Sequence, residues 1–81
     1  MRAGLTAAAL RDYIDAEPAV QRAFDKQTRL LLENLRHPSL RSKKYDEARD
    51  IWQARVNRYW RFYFIMTTDT DLILNLTPHP K

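Results

Sequence analysis

Residues 51–66 read IWQARVNRYWRFYFIM, and the periodicity of this run decides the fold. Trp52, Ala54 and Val56 alternate with Gln53, Arg55 and Asn57. Further on, Trp60, Phe62, Phe64 and Met66 alternate with Arg61, Tyr63 and Ile65. Two-residue alternation among aromatic and β-branched residues marks half-buried antiparallel strands, so the run predicts a β-hairpin. Its apolar set faces a core. Arg55 and Arg61 must then emerge together on the opposite face, where two guanidiniums over a rigid sheet form a candidate phosphate site.

Upstream of the hairpin the pattern is helical. Thr6 is a candidate N-cap for a helix over residues 7–15, in which Leu10, Tyr13 and Ile14 share a face. Glu17-Pro18 breaks that helix and starts a second, expected over residues 18–35. Val20, Ala23, Phe24, Gln27, Leu31 and Leu35 recur there at three- and four-residue spacing, while Asp25, Arg29 and Glu33 form solvated pairs. His37-Pro38 ends the helical part, with His37 expected to cap the second helix.

Residues 40–45 (LRSKKY) read as a strand and residues 46–50 as a polar turn into the hairpin. After a second polar turn at 67–70, residues 71–77 form a last strand. Its parity places Leu72, Leu74 and Leu76 inward, with Ile73, Asn75, Thr77 and then His79 outward. The expectation is a single α+β domain over residues 1–81. An N-terminal αα-hairpin packs on one face of a three- to four-stranded antiparallel sheet, whose first edge strand is short or missing.

Charge follows the sheet. The net charge is +4, with a pI near 9.8. Residues 36–61 hold eight basic side chains against three acidic ones, so the excess sits on the predicted sheet and favours an anionic partner. The hydrophobic share of 44% and charged share of 30% are those of a globular domain. With no cysteine there is neither a disulfide framework nor a zinc ribbon, as in cytoplasmic proteins. No apolar run reaches the ~20 residues of a membrane span, and residues 1–10 lack the plan of a secretory leader.

The order helix, helix, HPSLRSKKY, IWQARV, YWRFYF and a final apolar strand ending in HPK resembles the RelE/ParE superfamily of type II toxin–antitoxin toxins. The resemblance covers roughly residues 10–81. Its RNase branch implies a ribosome-dependent endoribonuclease that cleaves mRNA without a metal or cofactor, and its ParE branch implies a gyrase inhibitor that acts by binding. A degenerate toxin acting only through its antitoxin is a third possibility. In each case a cognate antitoxin is the implied partner and the route to oligomers. Two departures stand out: only residues 2–5 are left for the strand that usually precedes the first helix, and there is no Glu at 38–40 and no Tyr after Thr77.

The resemblance assigns Arg61, with Trp60 before it where the family has Tyr, to the scissile phosphate, since charge building on oxygen needs a preplaced cation. Arg55 matches the basic residue of Trp-x-x-Arg and would grip a neighbouring phosphate. His79 is the candidate proton donor to the leaving oxygen, imidazole being the side chain most often used for that work. Arg41, Lys43, Lys44 and Lys81 are candidate RNA contacts. Only one of Lys43 and Lys44 can join the site, because neighbouring residues of a strand face opposite ways; parity from inward Leu40 favours Arg41 and Lys43. Tyr63, facing outward, could stack on a base.

Overall fold

The Ile51–Arg55 strand (β3) and the Trp60–Met66 strand (β4) pair antiparallel with Trp52 opposite Phe64, Ala54 opposite Phe62 and Arg55 opposite Arg61. Ala54, Phe62 and Phe64 are fully shielded from solvent, while Arg55, Arg61 and Tyr63 alternate with them on the other face. The computed structural model describes residues 1–79. Lys81, one of the candidate RNA contacts, lies outside them.

Around this hairpin the sheet has five strands in the order β1-β5-β4-β3-β2, with β1 at Arg2–Leu5, β2 at Lys43–Asp46 and β5 at Thr70–Pro78. The expected three to four antiparallel strands are thus one too few, because the short N-terminal segment joins as an edge strand parallel to β5. Only four residues long, β1 carries too little alternation to be read as a strand alone.

Two helices, α1 (Ala7–Asp15) and α2 (Pro18–Glu33), cover the aromatic face. The apolar stripe of α2 buries Val20, Phe24 and Leu31, and Phe24 meets Phe62 edge-on at 5.4 Å between ring centres. Two residues short of expectation, α2 ends at Glu33, and Asn34 caps it by donating its backbone N–H to Leu30 O. The expected Asp25–Arg29 and Arg29–Glu33 pairs are not among the ion pairs of the described residues; Asp25 instead accepts a hydrogen bond from Tyr13 Oη at 3.0 Å.

The face of α1 also differs from expectation. Ala9 is wholly buried and Tyr13 packs on Phe24, whereas Leu10 and Ile14 are 50% and 64% exposed. The cause is where α1 lies: it runs beside β5 past the end of β1 and completes the hydrogen bonding of that strand's free edge. Thr6, the N-cap, accepts from Ala9 N at 3.1 Å and donates its hydroxyl to Leu74 O at 2.9 Å. Asp12 Oδ2 accepts from Leu76 N at 3.0 Å. Small Ala9 allows this close approach, which leaves the bulkier Leu10 and Ile14 outside.

A bulge sits at the same place. Phe64 pairs with Ile73 and Tyr63 with Asn75, so Leu74 is an extra residue on β5. The expected parity is therefore wrong for the first half of the strand. Ile73 is buried at 0% exposure and Asp71 faces inward with it, whereas Leu72 and Leu74 face outward. Beyond the bulge the expectation stands, with Leu76 inward and Asn75 and Thr77 outward.

Residues 38–40 are a 3₁₀ turn and not the start of a strand. His37 caps this turn by accepting from Ser39 N, and does not cap α2. Leu40 plugs the core at 0% exposure. Arg41 then takes a left-handed conformation (φ 46°), which turns the chain into β2, so the strand begins at Lys43.

Candidate functional site

The face of the sheet away from α2 is bordered by α1 at its β5 side, where Ala8 lines a hollow. Its floor at the β3–β4 end is basic. Arg55 and Arg61 are directly opposite in the ladder, and their guanidiniums converge on the turn that joins the two strands. Arg55 Nε donates to Asn57 O at 3.2 Å, and Arg61 Nη1 donates to the same oxygen at 2.8 Å and to Trp60 O at 3.0 Å. The turn is itself fixed by Asn57, whose Oδ1 accepts from Tyr59 N at 2.8 Å and Trp60 N at 3.0 Å. From behind, Gln27 of α2 donates Nε2 to Arg55 O at 2.8 Å and to Ser39 O at 3.1 Å, tying this end of the strand to the helix and to the 3₁₀ turn.

Among the described residues neither arginine has a carboxylate partner. The ion pairs among the described residues are Arg2–Asp69, Lys44–Asp50 and Arg49–Asp46, all away from Arg55 and Arg61. Burial, followed by the positive charge of Arg55, holds the Arg61 guanidinium below its usual pKa, with a further contribution from Arg41. Arg55 and Arg41 are thus each close enough to act on the Arg61 guanidinium by like-charge repulsion. A bound anion would relieve that repulsion, and a partly desolvated pair of planar forks suits a phosphate.

The register separates the two lysines. Lys43 pairs with Gln53 and shares the open face with the arginines. Lys44 pairs with Trp52 on the other face, where its ammonium lies 4.9 Å from the indole centre and forms an ion pair with Asp50. Of the two, only Lys43 lies on the face that carries the arginines.

Thr77 is opposite Arg61, and two residues further His79 donates its backbone N–H to Tyr59 O at 2.6 Å. His79 is thereby held beside the same turn, with its side chain exposed. Tyr63 lies two residues from Arg61, accepts from Gln53 Nε2 at 2.9 Å, and meets the ring of Tyr45 edge-on at 4.8 Å between centres.

Sequence reasoning missed three participants. Tyr45 and Asn75 border a hollow of about 410 Å³ on the open face together with Tyr63, Ile51, Leu74 and Thr77. Asn57 supplies the oxygen on which the arginines meet. An Asn at the hairpin turn is itself a recognisable signal. The hollow is not, because it needs four strands, α1 and a bulge in place at once.

No family model matches the sequence, and no curated protein matches it. Solved structures do match in shape. The chain superposes on a YoeB/ParE toxin from Agrobacterium tumefaciens with a TM-score of 0.82 at 12% identity, covering 99% of this chain and 100% of that one. It superposes on the archaeal RelE–RelB complex from Pyrococcus horikoshii with a TM-score of 0.77 at 18% identity, covering 95% and 92%. For the RelBE2 toxin–antitoxin complex from Mycobacterium tuberculosis the TM-score is 0.74 at 22% identity, covering 96% of each.

Proposed function

We propose, from the premise that this chain has the RelE/ParE toxin fold, that it is the toxin of a type II toxin–antitoxin pair and a ribosome-dependent endoribonuclease that cleaves mRNA in the cytoplasm without a metal. The observation that carries the reading is the cluster of Arg55 and Arg61, paired across the ladder, partly desolvated and without a carboxylate. No helix of the described residues is long and apolar enough to cross a membrane. Two of the similar structures are complexes of a toxin with its antitoxin, which supports a cognate antitoxin as partner and as the means of oligomerisation.

Cleavage would be substrate-assisted. The ribose 2′-hydroxyl gives up its proton to water as its oxygen forms a bond to the adjacent phosphorus, and the bond to the 5′-oxygen breaks, leaving a 2′,3′-cyclic phosphate. Arg61 stabilises the charge that grows on the phosphoryl oxygens, a role for which a preorganised donor contributes roughly 10²–10³-fold. Arg55 holds the neighbouring phosphate and His79 delivers a proton to the leaving oxygen. Lys43, Arg41 and Lys81 attract the strand, and Tyr63 offers a ring to a base. The ribosome aligns the nucleotide, which supplies the orientation that the side chains do not.

The test is purified chain added to translating ribosomes. Cleaved mRNA with cyclic-phosphate ends is expected. Intact mRNA, with gyrase supercoiling arrested, would replace this reading with a ParE-like gyrase inhibitor. Intact mRNA with gyrase also unaffected would leave a degenerate toxin that acts only through its antitoxin.

A further inference from the structure

Beside the arginines, the open face carries the hollow of about 410 Å³, and its lining is not that of a phosphate site. Tyr45 and Tyr63 provide aromatic surface, and Ile51 and Leu74 provide apolar surface. Such walls suit a flat ring that stacks. The polar group is Asn75, whose Oδ1 is buried and makes no hydrogen bond within the described residues. A buried acceptor without a donor is uncommon in a folded protein, and a turn of the amide about its last bond brings it to a ligand's donor in the hollow that Asn75 lines.

The bulge explains how the residues come together. With Leu74 as the extra residue, Leu74 and Asn75 both line the open-face hollow, which a regular strand would prevent by alternating them. Asn75 is opposite Tyr63, and Thr77 is opposite Arg61. The backbone positions of Asn75 and of the residue opposite Arg61 are therefore two residues of strand apart, roughly 7 Å. That is comparable to the separation of a base from the phosphate of its own nucleotide.

We propose that this hollow seats one base of the bound strand, adenine, and that the Asn75 carboxamide reads it. The proposal rests on the reading of this face as an RNA site. A carboxamide presents one acceptor and one donor side by side, matching the N6 amine and N7 of adenine in a bidentate pair. Guanine offers two acceptors on the same edge and matches only half of it. Pyrimidines can pair with a carboxamide but cover less of the tyrosine surface. Rotation about the last side-chain bond of Asn75, a broad two-fold torsion, turns the amide toward the ring.

The experiment is an NMR titration of the whole chain with AMP, GMP, CMP and UMP, followed by mRNA cleavage mapping with the same variants. AMP is expected to bind several-fold more tightly than UMP and to shift the Asn75 side-chain amide and the Tyr45 ring. Asn75→Ala should abolish that preference while leaving phosphate-dependent shifts near Arg61. Asn75→Asp, an acceptor only, should favour guanine through its N1–H and N2 amine. Tyr45→Ala, at an exposed position, should weaken AMP binding and so serves if the Asn75 variants fold poorly. Equal binding of all four nucleotides, shifts confined to the arginines, or no binding overturns the proposal. Adenine preference without mRNA cleavage would sink the nuclease reading alone, and cleavage with unchanged base preference in Asn75→Ala would sink only the base site.

Discussion

Arg55 and Arg61 meet on one acceptor, the carbonyl oxygen of Asn57, at 3.2 and 2.8 Å. Two cations converging on a neutral carbonyl with no carboxylate nearby are held in position without being neutralised. The turn orients both forks and leaves their charge available. A carboxylate in place of that carbonyl would hold them more firmly and cancel the field that attracts a phosphate.

The first consequence concerns Asn57. Its side chain accepts from Tyr59 N and Trp60 N, so Asn57→Ala removes two hydrogen bonds and should cost about 1 kcal/mol of stability. The catalytic loss should be larger, about tenfold or more, because both guanidiniums lose a fixed anchor. Urea unfolding and single-turnover cleavage measured on the same preparation decide the point. An activity loss no greater than the loss of folded protein would mean that the turn does not position the arginines.

Arg61→Ala should lower cleavage by roughly 10²–10³-fold with little change in melting temperature, since the side chain contributes charge and not core. Arg61→Lys should recover only part of this, because an ammonium cannot reproduce the fork that reaches both Asn57 O and a phosphate. Full activity in Arg61→Lys would show that a point charge suffices.

Lys43 and Lys44 provide a test of the register. Lys43→Ala should weaken RNA binding and flatten its salt dependence, because a phosphate contact is lost from the open face. Lys44→Ala should leave binding unchanged and lower the melting temperature slightly, through loss of the Asp50 pair and the contact with Trp52. Filter binding across a salt series separates the two, and a larger effect from Lys44 would contradict the pairing of β2 with β3.

The hairpin was legible because Trp52, Ala54, Phe62 and Phe64 keep one parity without exception, which leaves Arg55 and Arg61 a single possible face. The last strand was not, since residues 72–76 read LILNL and both parities contain apolar side chains. What settles it is remote in sequence: Thr6 and Asp12 bind Leu74 O and Leu76 N, contacts that no local window contains. The edge strand β1 was expected as short or missing, and sequence could not choose between the two because its parallel pairing with β5 joins segments far apart in the chain. In residues 40–45 the apolar residue that suggested a strand, Leu40, is a core plug on a turn, and the left-handed Arg41 breaks the alternation that the reading assumed.

The bulge makes neighbouring apolar residues unequal. Ile73→Ala removes a fully buried side chain beside Phe64 and should cost roughly 2–5 kcal/mol. Leu74→Ala, on the open face, should cost about 1 kcal/mol or less, and should alter the hollow more than the fold. The reverse order in chemical denaturation would mean that β5 runs without the extra residue.

Asp71 gives the fold a pH dependence of defined sign. It is 2% exposed on the core side of β5, its Oδ1 has no hydrogen-bond partner, and burial holds its carboxyl above the usual 3.8. A folded state with the higher pKa binds the proton more tightly than the unfolded chain does. The resulting stabilisation is complete below 3.8, declines as pH rises through the folded value, and is absent above it, where the buried carboxylate is charged. Asp71→Asn keeps the shape and removes that charge, so it should raise stability at pH 7 by about 1 kcal/mol, or some 4–8 °C in melting temperature for a domain of this size. The gain over the parent should shrink as the solution is acidified toward pH 4, because the parent then carries its own proton. Melting curves of both proteins across that range check the sign: a benefit that grows on acidification would show that Asp71 is stabilised in its ionised form by a partner in solution.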